Sequence, residues 1–311
     1  GTHGKTTVSS MVAYLLKSNG IKVNALLGGI SRDFGTNLVL DAGAKIMVTE
    51  ADEYDRSFLQ LYPNQLVVTS IDPDHLDIYE DEDDLTNTYS QLVSQVDEGG
   101  VFITKPHVLK TLRESSKVRN RTYAIDGSAF IQAKNLRVED GNYVFDYESE
   151  KCKIDGVVCG LPGLHNVENA LAAISIAHEN GIAPEKIKES IANFLGVKRR
   201  FDVHLKKEDI IYIDDYAHHP VEVEATLEMA RQATDGKVVA ILEPHKLHDE
   251  CAVYTGKRRA GKEWIAFKEL HKGKAIITAN EYESAKNLIV ATENSEIAMK
   301  LHTGGIAEVS L

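Results

Sequence analysis

The apolar residues of this chain recur with two alternating periods. The stretch TTVSSMVAYLLKSNG places Val8, Met11, Val12, Leu15 and Leu16 on one helical face, with Gly20 positioned to end the helix. Short β-branched runs follow: KVNALL, KIMVTE, QLVVTSI and GVFITK. Apolar runs of this length between helices predict buried parallel strands. From 122 to 160 the texture changes. RVEDGNYVFDYESEKCKIDGVV alternates apolar and polar around a D-G turn, which predicts a small antiparallel insertion. Helical spacing resumes in HNVENALAAISIAHENG and in APEKIKESIANFLG, the second with Pro184 near its start and Gly196 at its end. After VKRRFD a second series begins, with strand DIIYID, helix VEVEATLEMARQATDG, strand KVVAILEP, a helical stretch near Trp264 and strand KAIITA. The pattern predicts an α/β protein with a domain boundary near 197–202.

Composition narrows the function classes. The 311 residues suffice for two domains, each with its own core. A formal net charge of −12 argues against nucleic-acid binding, which runs on basic patches. Any bound phosphate must then be held by local geometry against the overall field. No apolar run approaches the roughly 20 residues of a membrane span, and no signal-peptide pattern opens the sequence. Cys152, Cys159 and Cys251 are too few and too scattered for a disulfide framework or a zinc ribbon. These features predict a cytoplasmic protein without membrane insertion, and they carry no signal for oligomeric state. The acidic run EDEDD at 80–84 reads as a solvated loop or helix start.

Three clusters carry candidate chemistry. GTHGKTT opens the first helix. Gly1 and Gly4 allow close backbone approach to a phosphate, Lys5 adds a movable positive charge, and the Thr6 hydroxyl can reach Mg²⁺. The full phosphate-loop pattern needs a further glycine upstream, so the motif alone also fits a glycine-containing helix cap. TEADEYDRSF follows the strand KIMV and sets Glu50, Asp52, Glu53 and Asp55 where an open α/β sheet binds its ligand. SIDPDHLDIY adds Asp72, Asp74, His75 and Asp77 after another strand. Hard carboxylates suit Mg²⁺, and the three loops together point to Mg²⁺-nucleotide chemistry.

The motifs GTHGKTT, EADEYDRSFLQLYP, DPDHLDIY, GLHNVENALAA, GVKRRFD and DDYAHHP occur in an order and spacing that resembles the Mur ligases. The resemblance covers about residues 1–245 and is strongest to the family member that adds L-alanine to UDP-N-acetylmuramate in peptidoglycan synthesis. It implies a central P-loop ATPase domain over 1–199, with a mostly parallel sheet and a small antiparallel insertion. A smaller Rossmann-like α/β domain would occupy 200–311. ATP and Mg²⁺ would be the cofactors, with UDP-N-acetylmuramate and L-alanine as substrates. The sugar carboxylate would be activated as an acyl phosphate and then attacked by the amine. Gly1, Thr2, His3, Gly4, Lys5, Thr6 and Thr7 would hold the nucleotide phosphates, Lys5 at the β- and γ-positions. Thr6, Glu50 and His75 would bind Mg²⁺. Asn166 and Asn169 would lie by the adenine, with His165 beside them, and Arg200 would reach the phosphates. Asp215 would touch the ribose, with Tyr216, His218 and His219 near the amino acid. Lys5, His75, Arg200 and His218 are the catalytic candidates that follow.

Each assignment has a plainer rival. HNVENALAA is also an ordinary helix with Asn166 as its N-cap, KRR a solvated charge run, and HHP a capping turn. The family's UDP-binding domain, and the strand expected to lead into Gly1, are not represented in these residues. The C-terminal domain is expected to be incomplete, because the likeness fades after about 245. The family's QPH stretch, followed by arginines, is here EPHKLHDEC, with Lys246 and Asp249 in their place. Two other readings stand beside the main one. The first is a sister ligase that joins a preformed tripeptide to the same nucleotide sugar. The second is a nucleotide-binding module without ligase turnover.

Overall fold

The computed structural model describes residues 1–72, 78–112, 117–208, 210–217, 220–234 and 236–242, and four further strands. The chain divides into two compact units, Gly1–Val197 and Lys198–Leu311.

The first unit opens with helix α1 (Lys5–Ser18), which buries Val8, Met11, Val12, Leu15 and Leu16 as their spacing requires. Its end is a Schellman turn. Gly20, one residue beyond the C-cap Asn19, takes φ 82°, its amide donating to Lys17 O at 3.1 Å and that of Ile21 to Leu16 O at 3.0 Å. Strands β1 (Val23–Leu26), β2 (Leu38–Val39) and β3 (Ile46–Thr49) form one sheet in the order β2-β1-β3, with β1 and β3 parallel. A second sheet holds β4 (Gln65–Val68), β5 (Val101–Thr104), β6 (Arg119–Ile125), β7 (Ile131–Glu139), β8 (Asn142–Ser149) and β9 (Lys153–Val158) in sequence order. The four short runs expected as parallel strands are therefore parallel, but shared between two sheets.

The antiparallel segment expected over 122–160 is present, and it is continuous with the main sheet. Strand β7 pairs parallel with β6 and so extends the main sheet, while the β7–β8 and β8–β9 pairs are antiparallel. Asp140 (φ 49°) and Gly141 (φ 80°) close the hairpin between the paired Glu139 and Asn142. Two left-handed residues in a two-residue loop match the twist of the strands, which is the meaning of the D-G signal.

Helix α2 (Glu82–Ser94) begins in the acidic run. The Asp81 carboxylate accepts from Asp84 N at 2.8 Å, and Glu82, Asp83 and Asp84 complement the positive end of the helix. Helix α3 (Pro106–Leu112) follows β5. Helix α4 (Leu164–Glu179) is buried along most of its length, and α5 (Pro184–Asn193) starts on its proline. The cap of α5 falls on Phe194 and not on Gly196. Gly196 serves a different contact: its carbonyl accepts from Arg32 N at 2.9 Å, and a Cβ there would meet Leu161 at 2.9 Å.

The core of this unit joins α1 to α4 over the sheet, through Leu15, Leu16, Leu171, Ile174, Phe145 and Tyr147. Ala170, Ala172, Ala173 and Ala177, all wholly buried, let α4 come close to its neighbours. A second cluster sets Phe58, Tyr79, Tyr89 and Phe102 together, with Phe58 edge-on to Tyr89 at 5.1 Å.

The second unit contains β10 (Asp202–Lys206), β11 (Ile210–Asp214), α6 (Pro220–Ala233) and β12 (Lys237–Leu242). Beyond them lie β13 (Ala252–Gly256), β14 (Lys262–Ala266), β15 (Ala275–Ile277) and β16 (Asn287–Ala291). Its five-stranded sheet has the order β10-β11-β16-β12-β15, parallel in the middle and antiparallel at both edges. The helix expected near Trp264 is instead β14, which pairs antiparallel with β13 through Tyr254 and Trp264. Val253, Tyr254, Thr255, Trp264 and Ile265 all favour a pleated ladder, and five residues are few for a helix. Helices beside sheets with parallel pairs make both units α/β.

Leu171 is fully buried in the core that α4 shares with α1 and the sheet. Leu171→Ala should destabilise the chain by about 2–5 kcal/mol, read as a lower urea midpoint at unchanged m-value.

Candidate functional site

Gly4 is the N-cap of α1 at φ 82°; no side chain among the described residues caps this end, and the first turn holds no acid. The first-turn amides and the positive end of the helix are thereby left to an outside anion. The loop before it is laced to the segment after β4. Thr2 N donates to Ser70 O at 3.2 Å, His3 N donates to Ser70 Oγ at 3.1 Å, and the Thr69 hydroxyl donates to His3 O. The Thr2 hydroxyl donates to Asp72 O and accepts from Asp72 N, both at 3.0 Å. A Cβ on Gly1 would lie 2.6 Å from Thr69 Oγ1 and 2.7 Å from Ser70 O, so this strand end demands glycine.

From the other side the loop rests on α4. A Cβ on Gly4 would stand 2.6 Å from Asn169 Oδ1. Asn169 Nδ2 donates to Asn166 Oδ1 at 3.0 Å, and Asn166 Nδ2 to Pro162 O at 2.6 Å. Both asparagines are buried inside the helix. The N-cap is Gly163, which removes Asn166 from that role. The pair braces the loop.

The acidic segment after β3 supplies two carboxylates with different partners. Glu50 Oε2 accepts from Gly28 N at 2.9 Å, and a Cβ on Gly28 would run into that carboxylate. A Cβ on Gly29 would come within 3.2 Å of Thr6 Cγ2, so Glu50 and Thr6 flank one glycine pair. Lys5 pairs with Glu53 rather than Glu50, Nζ to Oε1 at 2.6 Å. Glu53 is only 2% exposed. Behind it the Tyr79 hydroxyl donates to Glu53 O at 2.6 Å, and burial followed by the Glu53 charge pushes this phenol up to about 12. Asp55 (φ 52°) and Arg56 (φ 55°) turn the chain in the left-handed region, with Arg56 held by Asp84 at 2.6 Å.

The glycine loop, the acidic segment and the end of β4 therefore meet. Asp72 takes part through its backbone and through its carboxylate, which stands 3.6 Å from His3 Nε2. His75, with Asp74 and Asp77, lies outside the described residues, as do His218, His219, Lys246 and Asp249. Among the described residues no three His, Cys, Asp or Glu side chains gather as a metal site. Thr6 and Glu50 offer two hard oxygens, a set that fits Mg²⁺, which keeps several of its waters.

The second unit carries the remaining candidates. Asp215 is buried, its two oxygens accepting from Ala217 N at 2.7 Å and Phe201 N at 2.6 Å, while burial pushes the carboxyl up. Arg200 stands between two left-handed residues, Arg199 (φ 61°) and Phe201 (φ 49°). Its guanidinium is 3.8 Å from Glu222 and 5.5 Å above the Tyr216 ring.

Sequence reasoning missed Glu53 as the partner of Lys5, the asparagine brace, the Gly28-Gly29 pair and the backbone bonds of Asp215. Only the glycine pair left a visible signal, a doublet directly after a strand.

Comparison with known proteins gives this geometry a lineage. The Mur ligase middle domain matches residues 1–177, and the Mur ligase, glutamate ligase domain, matches residues 199–303. A UDP-N-acetylmuramate–L-alanine ligase of Parabacteroides distasonis is 42% identical over 246 residues, covering 79% of this chain and 53% of its own length. That of Christiangramia forsetii is 35% identical, covering 99% of this chain and 71% of its own. The chain thus spans about half the length of most of the curated relatives compared. Among solved structures, the UDP-N-acetylmuramate-alanine ligase of Thermotoga maritima shares the fold with a TM-score of 0.73 at 23% identity, over 97% of this chain and 72% of its own. No helix among the described residues is long and apolar enough to cross a membrane. With a middle-domain match across more than half its length, on the residues that build the laced loop, the chain belongs to the Mur ligase family.

Proposed function

We propose that this chain is the nucleotide-binding and C-terminal part of an ATP-dependent ligase that joins L-alanine to UDP-N-acetylmuramate. One observation carries the reading: Lys5 stands at the uncapped N-terminus of α1, in a glycine loop fixed to a strand end and bordered by carboxylates. Residues 1–199 would be the ATPase domain and 200–311 the C-terminal domain. The relatives named for L-alanine, at 35–42% identity, support the substrates. ATP and a nucleotide sugar are cytoplasmic reagents, which fits a cytoplasmic enzyme.

The residues divide the work by chemistry. The loop amides of Gly1 to Gly4, with those of Lys5, Thr6 and Thr7, would cradle the phosphates, and the Lys5 ammonium would take the β- and γ-oxygens. Thr6 and Glu50 would hold Mg²⁺, with His75 a further ligand by the family resemblance. Bound there, the ion would neutralise charge on the transferring phosphoryl group. Arg200 would add a guanidinium to the same phosphates, Asn166 and Asn169 would border the adenine, and Asp215 the ribose. His218 would sit by the amino acid. Positioning and charge neutralisation would then supply most of the rate.

Lys5→Gln removes the cation but keeps a donor toward Glu53. It should weaken binding of a non-hydrolysable ATP by about tenfold, about 1.4 kcal/mol. Equal affinities by calorimetry would remove the loop assignment. Phosphate release by the full-length protein with UDP-N-acetylmuramate should depend on L-alanine. Dependence on the tripeptide instead would favour the sister ligase, and no dependence on either a binding module.

Glu50→Ala should raise the Mg²⁺ concentration needed for nucleotide binding, because it deletes a hard ligand. Its fold should survive, the lost contact being one bond to Gly28. A magnesium titration superimposable on that of the wild type would contradict the metal role.

A further inference from the structure

The Lys5–Glu53 pair is out of keeping with a loop built to receive anions. Glu53 is 2% exposed, Lys5 reaches its Oε1 at 2.6 Å, and its Oε2 is buried without a hydrogen-bond partner. Of the groups around this carboxylate, two are occupied elsewhere. Arg56 is bound to Asp84, and the Tyr79 hydroxyl donates to the Glu53 backbone carbonyl. A third, the buried Tyr89 hydroxyl, is a neutral neighbour whose phenol is pushed up by burial and then by the Glu53 charge. Among the described residues Lys5 is the one cation paired with it. A buried charge with a single partner holds that partner firmly, because leaving it unpaired is costly.

We infer that Glu53 is a positioning residue that competes with the nucleotide for Lys5, holding the ammonium while the loop is empty and reclaiming it when the nucleotide leaves. The inference rests on the nucleotide reading of the loop and assigns a role to a residue which that reading leaves out. A phosphate oxygen contacted by Lys5 where the ammonium now stands would lie within about 5.5 Å of Glu53 Oε1, given a charge-assisted bond of about 2.8 Å. At that range a buried carboxylate opposes each phosphate charge strongly. Glu53 also lowers the entropy of a side chain with four rotatable bonds, which favours binding. That gain is capped by one lysine's rotor freedom, whereas the repulsion grows with every phosphate charge. Competition therefore outweighs preorganisation, and Glu53 reduces nucleotide affinity.

The test is calorimetric titration of the full chain with a non-hydrolysable ATP and with ADP, for wild type, Glu53→Gln, Glu53→Asp and Lys5→Gln. Glu53→Gln keeps shape and an acceptor but loses the charge, and should bind about tenfold tighter. Glu53→Asp withdraws the charge by one methylene and should bind about threefold tighter, so it decides the matter should the glutamine variant not fold. A Glu53 that merely supports the fold would leave affinity unchanged or lower it. Wild-type or weaker affinity in the folded variants, with Lys5→Gln still weakened, overturns the competition and leaves the loop reading standing. An affinity insensitive to Lys5→Gln removes the loop reading itself.

Discussion

The close seat of Gly4 against Asn169 sets the rest of the first unit. Helix α1 can begin where it does only because the loop before it fits between a strand end and a buried helix. On one side Thr69 and Ser70 take the loop's amide and carbonyl groups. On the other, Asn169 fills the space a Cβ would need, and Asn166 fixes Asn169. The loop could not approach a thicker helix, so the buried alanines of α4 belong to the same constraint. Hydrophobic packing of α1 on α4 supplies the stability, and the polar contacts select one register. Each of these buried polar groups has a partner, as a network that specifies structure must.

A second constraint is electrostatic. The whole chain carries a formal charge of −12, yet the loop joins an uncapped helix N-terminus to a lysine. Distant charges are screened over about 8–10 Å in physiological salt, so the local arrangement decides. Locally, an uncapped helix end and Lys5 favour an anion, while Glu50 and Glu53 oppose one. Opposition of this kind has a use in an enzyme that turns over. A site made only of positive groups would hold the spent nucleotide as well as the fresh one. Under the proposed function, carboxylates beside the loop would make retention depend on a cation shared with the phosphates.

Much of this was legible in the sequence, for reasons that differ by level. Helix α1, the four short parallel strands, the D-G hairpin and the acidic start of α2 follow from periodicity and from turn and cap chemistry, which are local. The division of those strands between two sheets was not legible, since pairing is decided by residues far apart. The strand at Trp264 was misread because five residues do not fix a period. Motif order pointed to the loop and its carboxylates. It did not distinguish Glu50 from Glu53, because both follow the same strand three residues apart. Which of them meets Lys5 depends on the left-handed turn at Asp55 and Arg56, and left-handed non-glycine residues leave little trace in a sequence.

The same limit explains Asp215, and the explanation bears on Arg200. Two left-handed non-glycine residues flank Arg200, each costing about 1–3 kcal/mol, and such strain persists only where the surroundings enforce it. The enforcement here is the Asp215 carboxylate, buried and accepting from Phe201 N and Ala217 N, together with the Tyr216 amide bonded to Arg199 O at 2.7 Å. Burial raises the cost of keeping that carboxyl ionised, so the turn is held against two penalties at once. What it fixes is the backbone of Arg200. Among the described residues the guanidinium stands at ion-pair distance from Glu222, across the face of Tyr216 and within reach of the Asp215 charge. Under the proposed function, this rigid base would let the side chain exchange its contacts for a phosphate without the backbone having to move.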